Sequence, residues 1–488
     1  LAAAVQGTLL TPLPRVVELP SNAVAVLAFA SMSASADDDY LAEGISEAIM
    51  HGLTKVPGLR VIARTSAFAL KGSGLDVRDI AARLRVRRVV EGSVRRAGSR
   101  LRVTAKLIDG ESALEVWSER FDRDLDDVFA LEDELAGAVA ATLKTLLLEE
   151  SGDRLPTRQP QEAPTGNMEA YEQYLLGRYH WGQRTASSMD KSVDHLKMAV
   201  RLDPQFALAF SALAEAYATM GLYGMAAPQE VAPLAREAAN RALAILPDAA
   251  GALSARACVR ACFSWEWEEA ERDFRAAVAA DPQYPTASQW FASTVLVPLG
   301  RYAEAEEQLA RAAELDPLSL SVVVSRAAAA YYARDFEAAT HWAREAIALD
   351  PHFAMSYFFL GLALEQQGAL KEAGDALARA VTLSESVEAL AALGAVQLAR
   401  GDVDAAVQTR KQLGARADAA YVSPVLFAQM AARAGDEQSA LAHLRRAMDV
   451  RASDLIWASA RPVFDQLRQH PAFQSVMSEL RLPLLTQR

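Results

Sequence analysis

The sequence has few of the residues and motifs that usually carry chemistry. Two cysteines among 488 residues exclude a scaffold built on disulfides. No apolar run approaches the roughly 18 residues that a membrane-spanning helix needs. Basic side chains number 50 against 62 acidic ones, and the net charge of −12 is the opposite of what nucleic-acid-binding proteins usually carry. The sequence also lacks a phosphate-binding loop, a nucleophile elbow and a zinc-binding helix motif.

The remaining histidines and cysteines form no recognisable site. The seven histidines are scattered along the chain. Cys258 and Cys262 are four residues apart and share one helix face, where a disulfide would be strained. We interpret them as small buried residues. The sequence therefore predicts no catalytic residue, no metal site and no cofactor in this chain.

What the sequence does contain is an internal repeat. Alanine recurs about every 34 residues, and a second alanine series follows seven residues behind the first. Proline recurs at a similar interval from residue 204 onward. The first series is Ala270, Ala305, Ala339, Ala373, Ala406 and Ala440. A period of 34 with small residues at fixed positions is the tetratricopeptide pattern, in which each unit is a pair of antiparallel helices.

The repeats predict an all-α superhelix, an α-solenoid, over residues 167–455. We count about eight units, beginning near residues 170, 207, 251, 286, 320, 354, 387 and 421. The end of a solenoid exposes apolar surface and needs a cover. The apolar positions of residues 456–488 fit short capping helices in that role.

The first third of the chain has a different pattern. Short β-rich runs alternate with amphipathic helices in the order β-α-β-α-β-β-β-α, which predicts a compact α/β domain over residues 22–150. Residues 151–166 are rich in proline and glycine and read as a linker. Residues 1–21 are interpreted as a leader or as a linker that follows a membrane segment. Two readings of the apolar start at Leu1 stay open: an arbitrary boundary, or the tail of a membrane helix that lies upstream.

Two surfaces are candidates for binding. The first helix of each pair should line the concave face of the superhelix, with a mixed apolar and aromatic groove suited to a peptide or partner helix. By phase, its residues are Glu215, Trp290, Thr294, Val324, Tyr331, Met355, Phe358 and Glu365. The alternative is that Trp290 and Phe358 only stabilise the stack.

The second surface is a basic strand face. Arg100, Arg102 and Lys106 alternate with apolar residues, so they point to one side of a strand. We expect either contact with an anion or phospholipid or pairing with Glu115 and Glu119 of the next strand. Single-stranded nucleic acid is disfavoured because exposed aromatic residues are not interleaved with these charges.

Six segments of the first domain together carry a resemblance to a known family: residues 23–29, 40–45, 56–68, 90–95, 105–109 and 117–122. They resemble the TolB amino-terminal-like domain, which is followed by tetratricopeptide repeats in bacterial proteins. Residues 170–175 and 421–424 resemble the repeats that follow it. The resemblance extends from about residue 22 to 483. The chain departs from the family at Ala28, where the first strand usually has proline before phenylalanine.

The resemblance implies the sensory or scaffold half of a larger bacterial regulator. In such relatives the preceding half is a CadC-like winged-helix domain, a class III adenylate cyclase or a protein kinase, often after a membrane helix. We therefore expect a non-enzymatic module that binds a protein partner, or a second copy of itself as a homodimer, without direct contact to nucleic acid. The alternative is the sensory half of a longer transcription regulator, cyclase or kinase. A membrane tether upstream of Leu1 would place the chain on the periplasmic face of the inner membrane; otherwise it would be cytoplasmic.

Overall fold

The computed structural model describes residues 19–32, 39–151, 163–183 and 185–485. The chain divides into two compact units, Leu1–Gln161 and Glu162–Arg488, and each is considered by itself. Most of the predicted leader, residues 1–18, and most of the predicted linker, residues 152–162, lie outside the described residues. No helix within the described ranges is long and apolar enough to cross a membrane.

The first unit is built on a mixed sheet. Its strands are β1 (Ala23–Val26), β2 (Ala30–Ser31), β3 (Arg60–Val61), β4 (Arg88–Ala97), β5 (Arg100–Asp109) and β6 (Glu115–Asp124). The order is β3-β1-β4-β5-β6, and β2 pairs with the far half of β4. Strand β1 runs parallel to both neighbours, whereas β4, β5 and β6 form an antiparallel meander. All four residues of β1 are buried, as expected for an apolar central strand.

Four helices accompany this sheet: α1 (Asp39–Thr54), α2 (Arg64–Ala69), α3 (Val77–Leu84) and α4 (Val128–Ser151). Helices α1 and α4 pack against each other. The Asp76 carboxylate caps α3 by accepting hydrogen bonds from the amides of Arg78 and Asp79. The short strand β2 and the short helix α2 were not anticipated, because two to six residues are too few to show a hydrophobic period.

The core of this unit depends on one close approach. A Cβ atom at Gly92 would lie 2.4 Å from the Thr104 carbonyl oxygen and 2.5 Å from the ring of Phe29. Phe29 is fully buried, and its amide donates to the hydroxyl of Ser46 on α1. The missing side chain at Gly92 therefore lets the Phe29 ring pack directly against the backbone of β4.

The second unit contains, within residues 163–183 and 185–485, eight antiparallel helix pairs. They are α5 (Met168–Gly182) with α6 (Ala186–Leu202), α7 (Ala207–Leu222) with α8 (Pro228–Ile245), α9 (Ala250–Val259) with α10 (Trp267–Ala280), α11 (Pro285–Phe291) with α12 (Tyr302–Leu315), α13 (Leu320–Tyr332) with α14 (Phe336–Leu349), α15 (Ala354–Gln366) with α16 (Leu370–Ser384), α17 (Val387–Ala399) with α18 (Val403–Ala419), and α19 (Pro424–Arg433) with α20 (Glu437–Asp449). Helices α9 and α11 each continue as a π-helical turn, Arg260–Ser264 and Ala292–Leu296 respectively.

Small residues let the two helices of each pair approach closely. The alanines of the first phased series are buried in their second helices, with exposures of 3% or less. In the sixth pair, a Cβ atom at Gly361 would lie 2.6 Å from Cγ of Leu377 on the facing helix. The unit is a tetratricopeptide-type α-solenoid that follows an α/β domain, which confirms the predicted fold class.

Candidate functional site

The last part of the chain does more than cover the end of the array. Residues 452–485, here called the C-terminal segment, form two 3-10 turns, Ser453–Trp457 and Pro462–Leu467, and the helix α21 (Pro471–Glu479). Leu455, Phe464, Phe473 and Met477 are fully buried. These side chains join the same apolar core as residues from all eight helix pairs.

Hydrogen bonds show where the C-terminal segment runs. The Ser453 hydroxyl donates to the Leu222 carbonyl oxygen of the second pair at 3.3 Å. The Trp457 indole donates to the Ser293 carbonyl oxygen of the fourth pair at 2.9 Å. The Trp267 indole of the third pair donates to the Leu480 carbonyl oxygen at 2.8 Å. The C-terminal segment therefore lies along several early repeats, whereas a simple cap would contact the last pair alone.

The π-helical turn of the fourth pair makes one of these contacts necessary. In an α-helical or π-helical pattern, the Ser293 carbonyl oxygen would accept from the amide at position 297 or 298. Val297 donates to Ala292 instead, and Pro298 has no N–H. An unpaired backbone carbonyl in a buried place costs free energy, and the indole of Trp457 satisfies it. The Trp457 ring also stacks on Tyr332, with centroids 6.2 Å apart.

We expect Trp457→Phe to lower the free energy of unfolding by about 1–3 kcal/mol, because the Ser293 carbonyl oxygen loses its donor while the aromatic stack is kept. Pro298→Ala supplies an N–H within the helix at the place where the indole now donates. The Trp457→Phe cost should therefore be smaller in the Pro298→Ala background. Urea unfolding of the four proteins in a double-mutant cycle measures this coupling, and equal costs in both backgrounds would contradict it.

None of the eight residues predicted to line the groove is exposed. Thr294 is fully buried, and Glu215, Trp290, Val324 and Tyr331 have exposures between 0 and 7%. Met355, Phe358 and Glu365 are partly buried. The structure thus places the predicted lining inside the array, where it faces other parts of the same chain.

The two predicted acidic residues of the groove are already paired. Glu215 forms an ion pair with Arg178, with 3.3 Å between its Oε2 and the arginine Nη1, and accepts from the Tyr284 hydroxyl. Glu365 pairs with Arg433. Tyr331, Phe358 and Glu365 meet Arg461 and Val463 of the C-terminal segment around a cavity of about 20 Å³. That volume holds about one water molecule and no partner side chain.

A buried charged cluster anchors the C-terminal segment at its centre. Arg461 lies 3.7 Å from Asp454, measured from Nη2 to Oδ2, and these side chains are only 12% and 16% exposed. The hydroxyl of Ser423 donates to Asp454 at 2.5 Å, and that of Ser386 donates to Glu388 at 2.8 Å. Burial raises the pKa of the Asp454 and Glu388 carboxyl groups, and the Arg461 cation opposes that rise.

The basic strand face of the first unit is paired with the next strand. Arg102 lies 2.7 Å from Asp122, Lys106 lies 2.9 Å from Glu115, and Arg100 lies 3.7 Å from Asp124, each measured between nitrogen and carboxylate oxygen. Hydrogen bonding to Arg102 lowers the pKa of Asp122, and hydrogen bonding to Lys106 lowers that of Glu115. Of the expected acidic partners on β6, only Glu115 forms such a pair, while Asp122 and Asp124 were not foreseen. These residues are largely exposed, so the pairs stabilise the sheet little.

The two cysteines, and the histidines His180 and His195, pack against each other within the second unit. Cys258 and Cys262 are both fully buried, with Sγ atoms 3.9 Å apart, and burial raises the pKa of the Cys262 thiol. His180 and His195 stack with ring centroids 5.5 Å apart, and burial lowers the pKa of both. Across the described residues, no three histidine, cysteine, aspartate or glutamate side chains are grouped to hold a metal ion.

Comparison with known proteins adds one sequence relative and several structures. A protein named "Putative adenylate cyclase 3" from Rhizobium meliloti (strain 1021) is 38% identical over 202 residues, which are 41% of this chain. The chain spans about a third of that relative, since the match covers 33% of it. No protein-family model matches the chain.

The solved structures that are similar to this chain resemble it in part. A tetratricopeptide repeat protein from Parabacteroides merdae ATCC 43184 is 17% identical with a TM-score of 0.39, over 56% of this chain and 99% of that one. Yeast Tom70 is 18% identical with a TM-score of 0.42, over 64% of this chain and 68% of that one.

The contacts that residues of the C-terminal segment make with the early repeats could not be predicted from the sequence. Trp457 follows the last repeat, and the Ser293 carbonyl oxygen that accepts from its indole lies 164 residues earlier in the chain. One local signal was available: Pro298 interrupts a predicted helix and leaves a carbonyl group that needs a donor. Nothing in the sequence pattern identifies that donor as Trp457.

Proposed function

We propose that this chain is a non-enzymatic protein-interaction module of a bacterial signalling protein, with the repeat array as its scaffold. The observation that carries the proposal is the way the array holds its own C-terminal segment. It holds a stretch of short turns through aromatic side chains and carbonyl–indole hydrogen bonds, and the extended faces of repeat arrays are binding surfaces for other segments. A partner segment with aromatic side chains would bind to these contacts in place of the C-terminal segment.

We propose in addition that the first unit is a TolB-like domain. Its sheet and helices would serve as a second docking surface or as the connection to an output domain. In a homodimer the partner would be a second copy of this chain, so that one gene would encode both partners. A membrane tether upstream of Leu1 would fix the compartment.

Chemical cross-linking of the purified full chain, with and without lysate from its source bacterium, tests the scaffold role. We expect a partner, or a second copy of the chain, whose cross-links map to lysines of the repeat array. The same sample is run in analytical ultracentrifugation. A monodisperse monomer without any intermolecular cross-link would overturn the proposal.

A second candidate is favoured by the sequence relative. We infer that this region is the sensory part of a longer adenylate cyclase, because a protein of that name shares 38% identity with it over 202 residues. Sequencing the reading frame upstream of Leu1 tests this candidate. A cyclase domain in frame supports it, and a reading frame that starts within a few codons of Leu1 contradicts it.

A further inference from the structure

An open pocket of about 620 Å³ lies on the second unit. Its lining comes from α8, from the π-helical turn of the third pair and from the turn after α20. Pro228, Ala232, Pro233 and Phe263 form apolar parts of its wall. The volume is in the range of about 300–1,000 Å³ that is usual for binding sites.

Three arginines converge on this pocket: Arg236, Arg241 and Arg451. Arg236 donates to the Ser264 hydroxyl, Arg241 lies over the Phe210 ring at 5.6 Å, and Arg451 lies over the Trp265 ring at 3.9 Å. Each of these exposed guanidinium groups is thus oriented by a hydroxyl group or an aromatic ring and not by a carboxylate. Glu237 is the one acidic residue among the described residues that line the pocket.

The three arginines differ from those of the adjacent repeats. Arg256 and Arg260 both pair with Asp273, at 2.7 and 2.5 Å, and Arg301 pairs with Glu271 at 2.6 Å. Within the part of the chain that the structure describes, no carboxylate lies within ion-pair distance of Arg236, Arg241 or Arg451. A fixed guanidinium group is suited to bind a carboxylate through two hydrogen bonds.

We propose that this pocket binds an acidic peptide segment of a protein partner, with carboxylates on the arginines and an adjacent apolar side chain against Phe263 and the two prolines. Charge complementarity argues for this occupant. Nucleic acid is disfavoured because residues 161–488 carry 30 basic and 39 acidic side chains, a net charge of −9 that repels a long phosphate chain. The inference rests on the proposed scaffold function and names the chemistry of its partner.

The tertiary structure creates this pocket. The Gln229 side-chain amide donates to the Asp449 carbonyl oxygen at 3.3 Å, which joins the start of α8 to the end of α20 across 220 residues. Arg451 follows two residues later and closes the pocket from that side. The site therefore exists only when the array has coiled back on itself.

Fluorescence anisotropy with the full chain tests the proposal. The probe is a fluorescein-labelled octapeptide of alternating glutamate and leucine, compared with the same peptide carrying glutamine in place of glutamate. We expect the glutamate peptide to bind at least about tenfold more tightly, a difference of about 1.4 kcal/mol. Arg236→Glu combined with Arg241→Glu should weaken binding of the glutamate peptide by at least about tenfold.

The matched control is Arg344→Glu combined with Arg379→Glu, which reverses two exposed arginines on the second helices of other pairs. We expect this control to change the affinity less than about twofold, since screened charges at a distance contribute little. Equal loss in both double variants, equal binding of the two peptides, or no binding at about 1 mM would overturn the proposal. Tighter binding of a single-stranded oligonucleotide that is lost with Arg236 and Arg241 would also overturn it. A partner that stays cross-linked to the double variant would refute the pocket and leave the scaffold function standing.

Discussion

Replacing Phe464 with alanine should lower the free energy of unfolding of the repeat array by about 3–5 kcal/mol, the range for a fully buried phenylalanine. Phe464 is not exposed at all, and its ring centroid lies 6.2 Å from that of Phe473, which is equally buried. The substitution leaves a cavity where the C-terminal segment meets the array, because the backbone on both sides is fixed by the turn Pro462–Leu467 and by α21.

The control for this prediction is Leu484→Ala in the same segment. Leu484 is 45% exposed, so its truncation should change stability by less than about 0.5 kcal/mol. Urea unfolding monitored by circular dichroism measures both variants. A cost for Phe464→Ala that is no larger than that of Leu484→Ala would mean that the C-terminal segment separates from the array before the array unfolds.

Replacing Arg461 with leucine should cost about 3–5 kcal/mol at pH 7, because the buried carboxylates of Asp454 and Glu388 then lack their cation. Burial holds the pKa of both carboxyl groups above its ordinary value in the folded chain, and loss of the arginine raises it further. The folded state then binds protons more strongly than the unfolded state. The variant should therefore recover stability as the pH falls from 7 toward the unfolded-state pKa values near 4.

The pH dependence is measured as the difference in the free energy of unfolding between two variants. The contributions of titrating groups that both variants share then cancel. Adding Asp454→Asn to Arg461→Leu removes one of the two carboxylates. The double variant should lose less stability at pH 7 and recover less on acidification. A loss for Arg461→Leu that is the same at pH 7 and pH 5 would show that Arg461 acts by packing alone.

The two predictions concern a segment whose existence, but not its position, could be predicted from the sequence. Apolar residues such as Phe464 and Phe473 indicated short helices after the last repeat, and a solenoid end needs such a cover. The hydrogen bonds of this segment reach far back along the chain: Ser453 bonds to Leu222, 231 residues earlier, and Trp457 bonds to Ser293, 164 residues earlier. A local hydrophobic period carries no information about which distant surface it will meet.

For the predicted groove, too, the sequence pattern could not show which distant part of the chain would lie over it. The phase of the repeats correctly placed residues such as Trp290 and Tyr331 on the first helices of their pairs. Their exposure depends on what lies over those helices, and the small cavity between Tyr331 and Arg461 shows that the C-terminal segment lies there. Partner binding at the predicted groove, as proposed above, therefore requires the partner segment to replace the C-terminal segment.

The sequence by itself determined the repeated helix pairs and the α/β domain before them. Alanine and glycine at fixed positions permit close helix packing, and that requirement acts between residues within one repeat. Only the tertiary structure decided that the C-terminal segment lies along the early repeats. It also decided that Arg236, Arg241 and Arg451 line one pocket. Both results require the array to coil until Gln229 reaches Asp449. Coiling accumulates from small rotations between successive pairs, and no single repeat of the sequence contains it.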